Sequence, residues 1–217
     1  MIAPMLRQVG LTIGLFIAVL FCGPVWAGEW EKMEEDTGIT SFRKEIEGSP
    51  FKAFRGEALV DAPIEKVLWV LADNRYRPRW VDRLEVSKTL EKKGDYEYVV
   101  FQYFGLPWPV ADREYVYRGR AFSKGSEVIL EMASTQHPKA PKAKGVRGTL
   151  KQSRYVLVPK GPNQTHVTVE ILTDPRGMLP SWLVNLIQKS WPIKTPKGIR
   201  KMVDQPFAKT LAVPPGG

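Results

Sequence analysis

Between Asp95 and Asp174 the chain repeats a period of two, segment after segment, and one helix with an oily face follows. That order constrains the fold more than any other feature. "YEYVVFQYF", "DREYVYRGRAF", "EVILEMAS", "LKQSRYVLVP" and "HVTVEILTD" are rich in aromatic and β-branched residues and read as antiparallel strands. In the last of them Val167, Val169 and Ile171 share one face, while His166, Thr168 and Glu170 share the other. Gly-Pro-Asn-Gln supplies the turn between the final two strands.

Upstream, "EWEKMEEDTGITSFRKEI" reads as two short strands about an Asp-Thr-Gly turn, and "FKAFRGEALVDA" continues as a strand. Pro63 then opens a helix in its first turn, where the missing N–H costs nothing. Ile64, Val67, Leu68 and Leu71 follow at helical spacing. "RYRPRWVDRLEV" bends at Pro78 and returns to strand. Strands, a short helix, more strands and a terminal helix predict an α+β fold with helices on one face of a curved sheet.

The terminal helix starts at Pro180 and Ser181. Leu183, Leu186, Ile187 and Trp191 form one face, with Leu179 and Trp182 at its edge. Each such side chain is worth about 1.5–3 kcal/mol when fully buried. Pro192 is expected to bend the chain before a second helical stretch, "TPKGIRKMVDQ". An apolar stripe of this kind is most often core. A strongly curved sheet around a long helix, however, often leaves a hollow, and tyrosine suits its wall by pairing an apolar body with one polar tip.

The first 27 residues read as a signal peptide. Arg7 starts it, "LTIGLFIAVLF" is too short to span a bilayer comfortably, and Val25–Ala27 resembles a peptidase site. Cys22 follows a phenylalanine too bulky for a lipobox. The expected organisation is a leader at 1–27, one domain at 28–207 and a disordered tail at 208–217. An exported, periplasmic or secreted, chain follows, and its only cysteine leaves with the leader, so stability rests on the core alone. The formal charge is +9. An exported basic protein meets anionic lipid or cell wall sooner than nucleic acid, and no helix-turn-helix, zinc-finger or RNP-like motif is present.

Catalytic signatures are equally absent. Ser134 precedes His137 on a loop, with no evident orienting acid. There is no HExxH pattern and no Gly-rich phosphate loop after a strand. No metal and no cofactor is expected.

Four segments in order carry a resemblance: Trp80, "GLPWPVADREYVY", "STQHPKAPKAKGVRG" and "TDPRGMLPSWLVN". Together they resemble the StAR-related lipid-transfer (START) family, from about Trp30 to Asp204. The resemblance implies a helix-grip fold: a curved antiparallel sheet wraps a long C-terminal helix and encloses a lipid-sized cavity. It also implies a lid built from that helix and a loop between strands.

On this reading the cavity and lid candidates are Trp108, Arg113, Tyr115, Tyr117, Leu183, Leu186, Ile187 and Trp191. Lys139, Lys142, Lys144 and Arg147 crowd a loop stiffened by prolines. They are membrane-contact candidates, each worth about 1 kcal/mol near an anionic surface. The expected function is non-catalytic binding of a single hydrophobic or amphipathic lipid by a monomeric carrier or sensor that touches membranes transiently. Two alternatives stay open. A cyclase-like cavity enzyme needs an acid or base such as Glu114, Asp112 or His166 facing inward. An interaction module with a filled core needs neither.

Overall fold

The computed structural model describes residues 28–179 and 181–216, and of the side chains at 181–189 only that of Leu183. The expected leader lies outside the described residues. Two antiparallel strands begin the fold, β1 (Glu31–Asp36) and β2 (Ile39–Lys44). Thr37 and Gly38 turn between them with φ of 50° and 66°, a hairpin geometry that glycine favours at its second position. Next come β3 (Ala53–Val60), α1 (Ile64–Ala72) and a single tight 3-10 turn at Arg77–Arg79. The long strands are β4 (Leu84–Lys93), β5 (Glu97–Phe104), β6 (Arg113–Lys124) and β7 (Glu127–Ser134). A two-residue β8 (Val146–Arg147), then β9 (Thr149–Gly161) and β10 (Gln164–Asp174), complete the set before α2 (Ser181–Val203).

These strands form one curved sheet in the order β1-β2-β3-β10-β9-β7-β6-β5-β4, antiparallel throughout except for β8, which pairs parallel with β6. The α+β reading therefore holds. Facing, which alternation alone left open for "YEYVVFQYF", is resolved by what each face meets. Tyr98 and Val100 join the main core with Tyr117, Leu130, Tyr155, Val167 and Val169. Val99 and Phe101 point to the other face, where Leu90, Val116 and Ala140 cover them.

The last helix does not stop at Pro192. It runs through Pro192 and Pro196 to Val203. Packing overrides the lost N–H donors, because Ile193 is buried against Ile39 and Ala58, and Ile199, Met202 and Val203 enter the main core. Close approach requires glycine: a Cβ on Gly56 of β3 would lie 2.0 Å from the Pro192 carbonyl oxygen. The segment after the helix also differs from expectation. Residues expected to be disordered bind back across the protein, with Leu211 N–H donating to the Glu65 carbonyl at 3.0 Å and the Ser123 hydroxyl donating to the Pro214 carbonyl at 2.6 Å. A Pro- and Gly-rich composition signals a poor helix or strand former, and an extended strap needs neither.

Candidate functional site

Inside the curve of the sheet stands a buried cation. Arg77, on the tight turn after α1, is 4% exposed. One Nη of its guanidinium donates to the Leu71 carbonyl at 2.7 Å, and its Cζ lies 5.7 Å from the centroid of the Trp80 ring. Its Nε finds no acceptor among the described residues, nor does any carboxylate pair with it there. Pro78 helps fix this turn, and α2 presses on it from one side, since a Cβ on Gly198 would sit 2.8 Å from the Trp80 carbonyl oxygen.

Three tyrosines from three strands surround Arg77: Tyr98 on β5, Tyr117 on β6 and Tyr155 on β9. The register explains the convergence. Tyr98 faces Gly119 across β5 and β6, and Tyr155 faces Leu130 across β9 and β7. The bare Cα of Gly119 lets the Tyr98 ring lie over the neighbouring strand, where a Cβ would come within 2.5 Å of it. The hydroxyls of Tyr98 and Tyr117 and the indole N–H of Trp80 are buried and lack partners among the described residues. Burial pushes all three tyrosines above their ordinary pKa, so they are neutral donors. Burial opposes the Arg77 charge too, but the oxygens of Tyr117, Tyr155 and Tyr98 outweigh it and hold that pKa above the usual guanidinium value. A fixed positive charge with several unused donors is a receptor for anionic oxygen.

Of the residues expected from sequence, Tyr117 belongs to this cluster and Leu183 is fully buried. Tyr115 and Trp191 pack partly buried against the same core, and Thr173 Oγ1 donates to the Tyr115 hydroxyl at 3.4 Å. The side chains of Leu186 and Ile187 lie outside the described residues. Trp108 is not in the interior, being 91% exposed on the turn between β5 and β6. Arg113 is buried, yet three backbone carbonyls occupy it: Nε reaches Pro175 O at 2.9 Å, one Nη reaches Arg176 O at 3.0 Å and the other reaches Ala111 O. It is a latch between two turns, with burial lowering its pKa.

The basic loop is likewise fastened down. Glu114, 1% exposed, accepts the backbone N–H of Lys144 at 2.8 Å and of Gly145 at 3.0 Å, and an Nη of Arg147 at 2.8 Å. Arg147 also lies 5.6 Å over the Phe101 ring, which makes it an anchor of the loop rather than a free cation. Lys139, Lys142 and Lys144 remain exposed. His137 Nε2 meets Glu91 at 2.9 Å and Ala140 seats on the outer apolar cluster, so the loop lies on the outer face of the sheet. A groove of about 420 Å³ opens there, between Ser134–His137 and Arg147–Thr149, away from Arg77. Asp112 is engaged by the Tyr103 hydroxyl and by Leu106 N–H at 2.8 Å. His166 is on the strand face opposite Val167. Among the described residues no cluster of His, Cys, Asp and Glu could hold a metal ion.

Arg77 escaped the sequence reading because a cation in "RYRPRW" looks like a solvated bend. The usable signal was three tyrosines at inward positions of separate strands, which need a shared polar partner.

Comparison with known proteins agrees with this architecture. The START domain model matches residues 24–209. An uncharacterized protein of Pseudomonas aeruginosa is 25% identical over 184 residues, covering 84% of this chain and 91% of the relative. The phosphatidylcholine transfer protein of Bos taurus is 28% identical over 167 residues, covering 74% and 78%. Among solved structures, a STAR-related lipid transfer protein from Xanthomonas axonopodis superposes with a TM-score of 0.71 at 28% identity, covering 81% of this chain and 99% of that one. With its match across most of the sequence and its curved antiparallel sheet carrying a C-terminal helix, the chain belongs to the START domain family.

Proposed function

We propose that the protein is a non-catalytic lipid carrier that holds one lipid between the concave sheet and α2, with the anionic head group at Arg77. The observation that carries this is a buried guanidinium with no carboxylate partner among the described residues, ringed by three tyrosines of which Tyr155 bonds to it while the hydroxyls of Tyr98 and Tyr117 find no partner there. An anionic oxygen cluster would satisfy Arg77 Nε, Tyr98 and Tyr117 together, and apolar burial of the lipid body would supply most of the affinity. Phosphatidylcholine, for which the bovine relative is named, carries a phosphate that fits such a receptor. The acid-base candidates Asp112 and Glu114 are committed to fixing loops, which favours binding over catalysis.

Exchange takes place at an anionic membrane outside the cytoplasm. The rim to present there is the pair of turns joined by Arg113. Trp108 and Met178 project from it, 91% and 97% exposed, beside the exposed Arg176 and Lys144. Native mass spectrometry of residues 28–217, purified without detergent and followed by solvent extraction, tests the reading. One phosphate-headed lipid per chain is expected, lost in Arg77→Leu. An empty protein that takes nothing from offered phospholipid vesicles overturns it.

A further inference from the structure

The segment after α2 does more than cover the core. Gln205 N–H bonds to Met202 O at 3.2 Å and turns the chain. Phe207 then stacks on Tyr76, with ring centroids 4.6 Å apart and planes 20° from parallel. The Arg79 guanidinium lies 5.1 Å from the Tyr76 ring and 5.3 Å from the Phe207 ring. Tyr76 and Arg79 are the residues on either side of the Arg77–Pro78 pair, so Phe207 grips the tight turn at both ends. Leu211 N–H holds Glu65 O in the first turn of α1, the helix whose last turn offers the Leu71 carbonyl to Arg77. Beyond it the strap is tied at a distance: the Tyr96 hydroxyl donates to Ala212 O at 2.9 Å, and Ser123 bridges to Gly216. The strap therefore fixes both supports of Arg77, the turn that carries it and the helix that receives its hydrogen bond.

Its own attachments are uneven. One aromatic stack and two apolar contacts, Ala208 and Leu211, reach the core, while the ties at Tyr96 are solvent-exposed. Segments held this way open locally at a free energy well below global unfolding. We propose that residues Gln205–Gly216 form a clasp that positions Arg77, with Phe207 as its anchor, so that clasp opening sets how tightly an anionic head group is held. The inference rests on Arg77 being the head-group site. It makes Phe207 a positioning residue that touches no ligand.

The test compares two fluorescent lipid probes, a phosphate-headed phospholipid and an uncharged diacylglycerol with the same chains, against four proteins: wild type, Arg77→Leu, Phe207→Ala and Phe207→Tyr. A hydrogen-bonded charge misplaced from its partner costs about tenfold or more in affinity. Phe207→Ala should lose about that factor for the phosphate probe and keep the uncharged one, and Phe207→Tyr should restore it. Equal losses for both probes, or none, would overturn the clasp. If Arg77→Leu does not discriminate between the probes, the head-group assignment itself fails. If Phe207→Ala does not fold, a Ser123→Cys/Gly216→Cys pair decides the matter. Oxidation should slow phosphate-probe exchange and reduction restore it, and redox-independent exchange would overturn the proposal.

Discussion

Glu131 on β7 stands directly opposite Arg120 on β6, with carboxylate and guanidinium 3.2 Å apart. The pair belongs to a row. Arg154 on β9 faces Glu131 from the other side and Glu170 on β10 beyond it, Arg55 on β3 faces Glu170, and Glu97 on β5 faces Arg120. Charges alternate in sign across six neighbouring strands on the outer face of the sheet. Apart from Arg55 with the buried Glu170, these pairs are open to solvent and contribute little one at a time, but the row penalises any slipped register.

Glu131→Lys places three cations side by side in that row. We expect a loss of about 1–2 kcal/mol, from two like-charge cross-strand pairs, and partial recovery in high salt. Urea unfolding at low and high ionic strength measures it. A salt-independent loss would assign the effect to packing instead.

Arg113 links the turn after Asp174 to the start of β6 through three carbonyls. Arg113→Ala leaves these acceptors unpaired and should cost about 2–4 kcal/mol. Amide exchange should rise first at residues 175–179, and the loop at 135–148 should stay protected.

Glu114 gives the fold an acid-sensitive fastening. Burial works to raise its carboxyl pKa, but the N–H groups of Gly145 and Lys144 together with Arg147 win and hold it below the ordinary glutamate value. A carboxylate with a depressed folded-state pKa contributes stability that is complete above its unfolded value and is lost as the pH falls through the folded one. The loop at 135–148 should therefore detach only below the usual glutamate range. Glu114→Gln should detach it at neutral pH, and this mutant should show a weaker acid dependence of stability. Proteolysis between Pro138 and Gly145 across a pH series reads both effects.

Trp108→Ala with Met178→Ser should reduce cosedimentation with anionic vesicles about tenfold or more, from the apolar burial forgone. Reversing the charge of Lys139, Lys142 and Lys144 should mainly change the salt dependence. Unchanged binding in both would remove this rim from the membrane contact.

How far these features were legible varies with their range in sequence. The strands, the Thr37–Gly38 turn and α1 obey local rules, and the structure places them where the pattern does. Tyr117 was legible as an inward tyrosine, but its partner Arg77 was not, because no local rule separates a buried arginine from a solvated one. The same holds for Arg113 and Glu114, whose partners are backbone groups 62 and 31 residues away. Pro192 misled because a local preference was set against burial of Ile193 and Ile199, and burial prevailed.

The charge of Arg77 is only partly satisfied. Its acceptors are the Leu71 carbonyl and the Tyr155 hydroxyl, with no carboxylate among the described residues, so an anion bound beside its Nε would add to the stability of the fold. If Arg77 holds a head group as proposed, release without replacement is the unfavourable step, so the protein would exchange one phosphate-headed lipid for another rather than return empty.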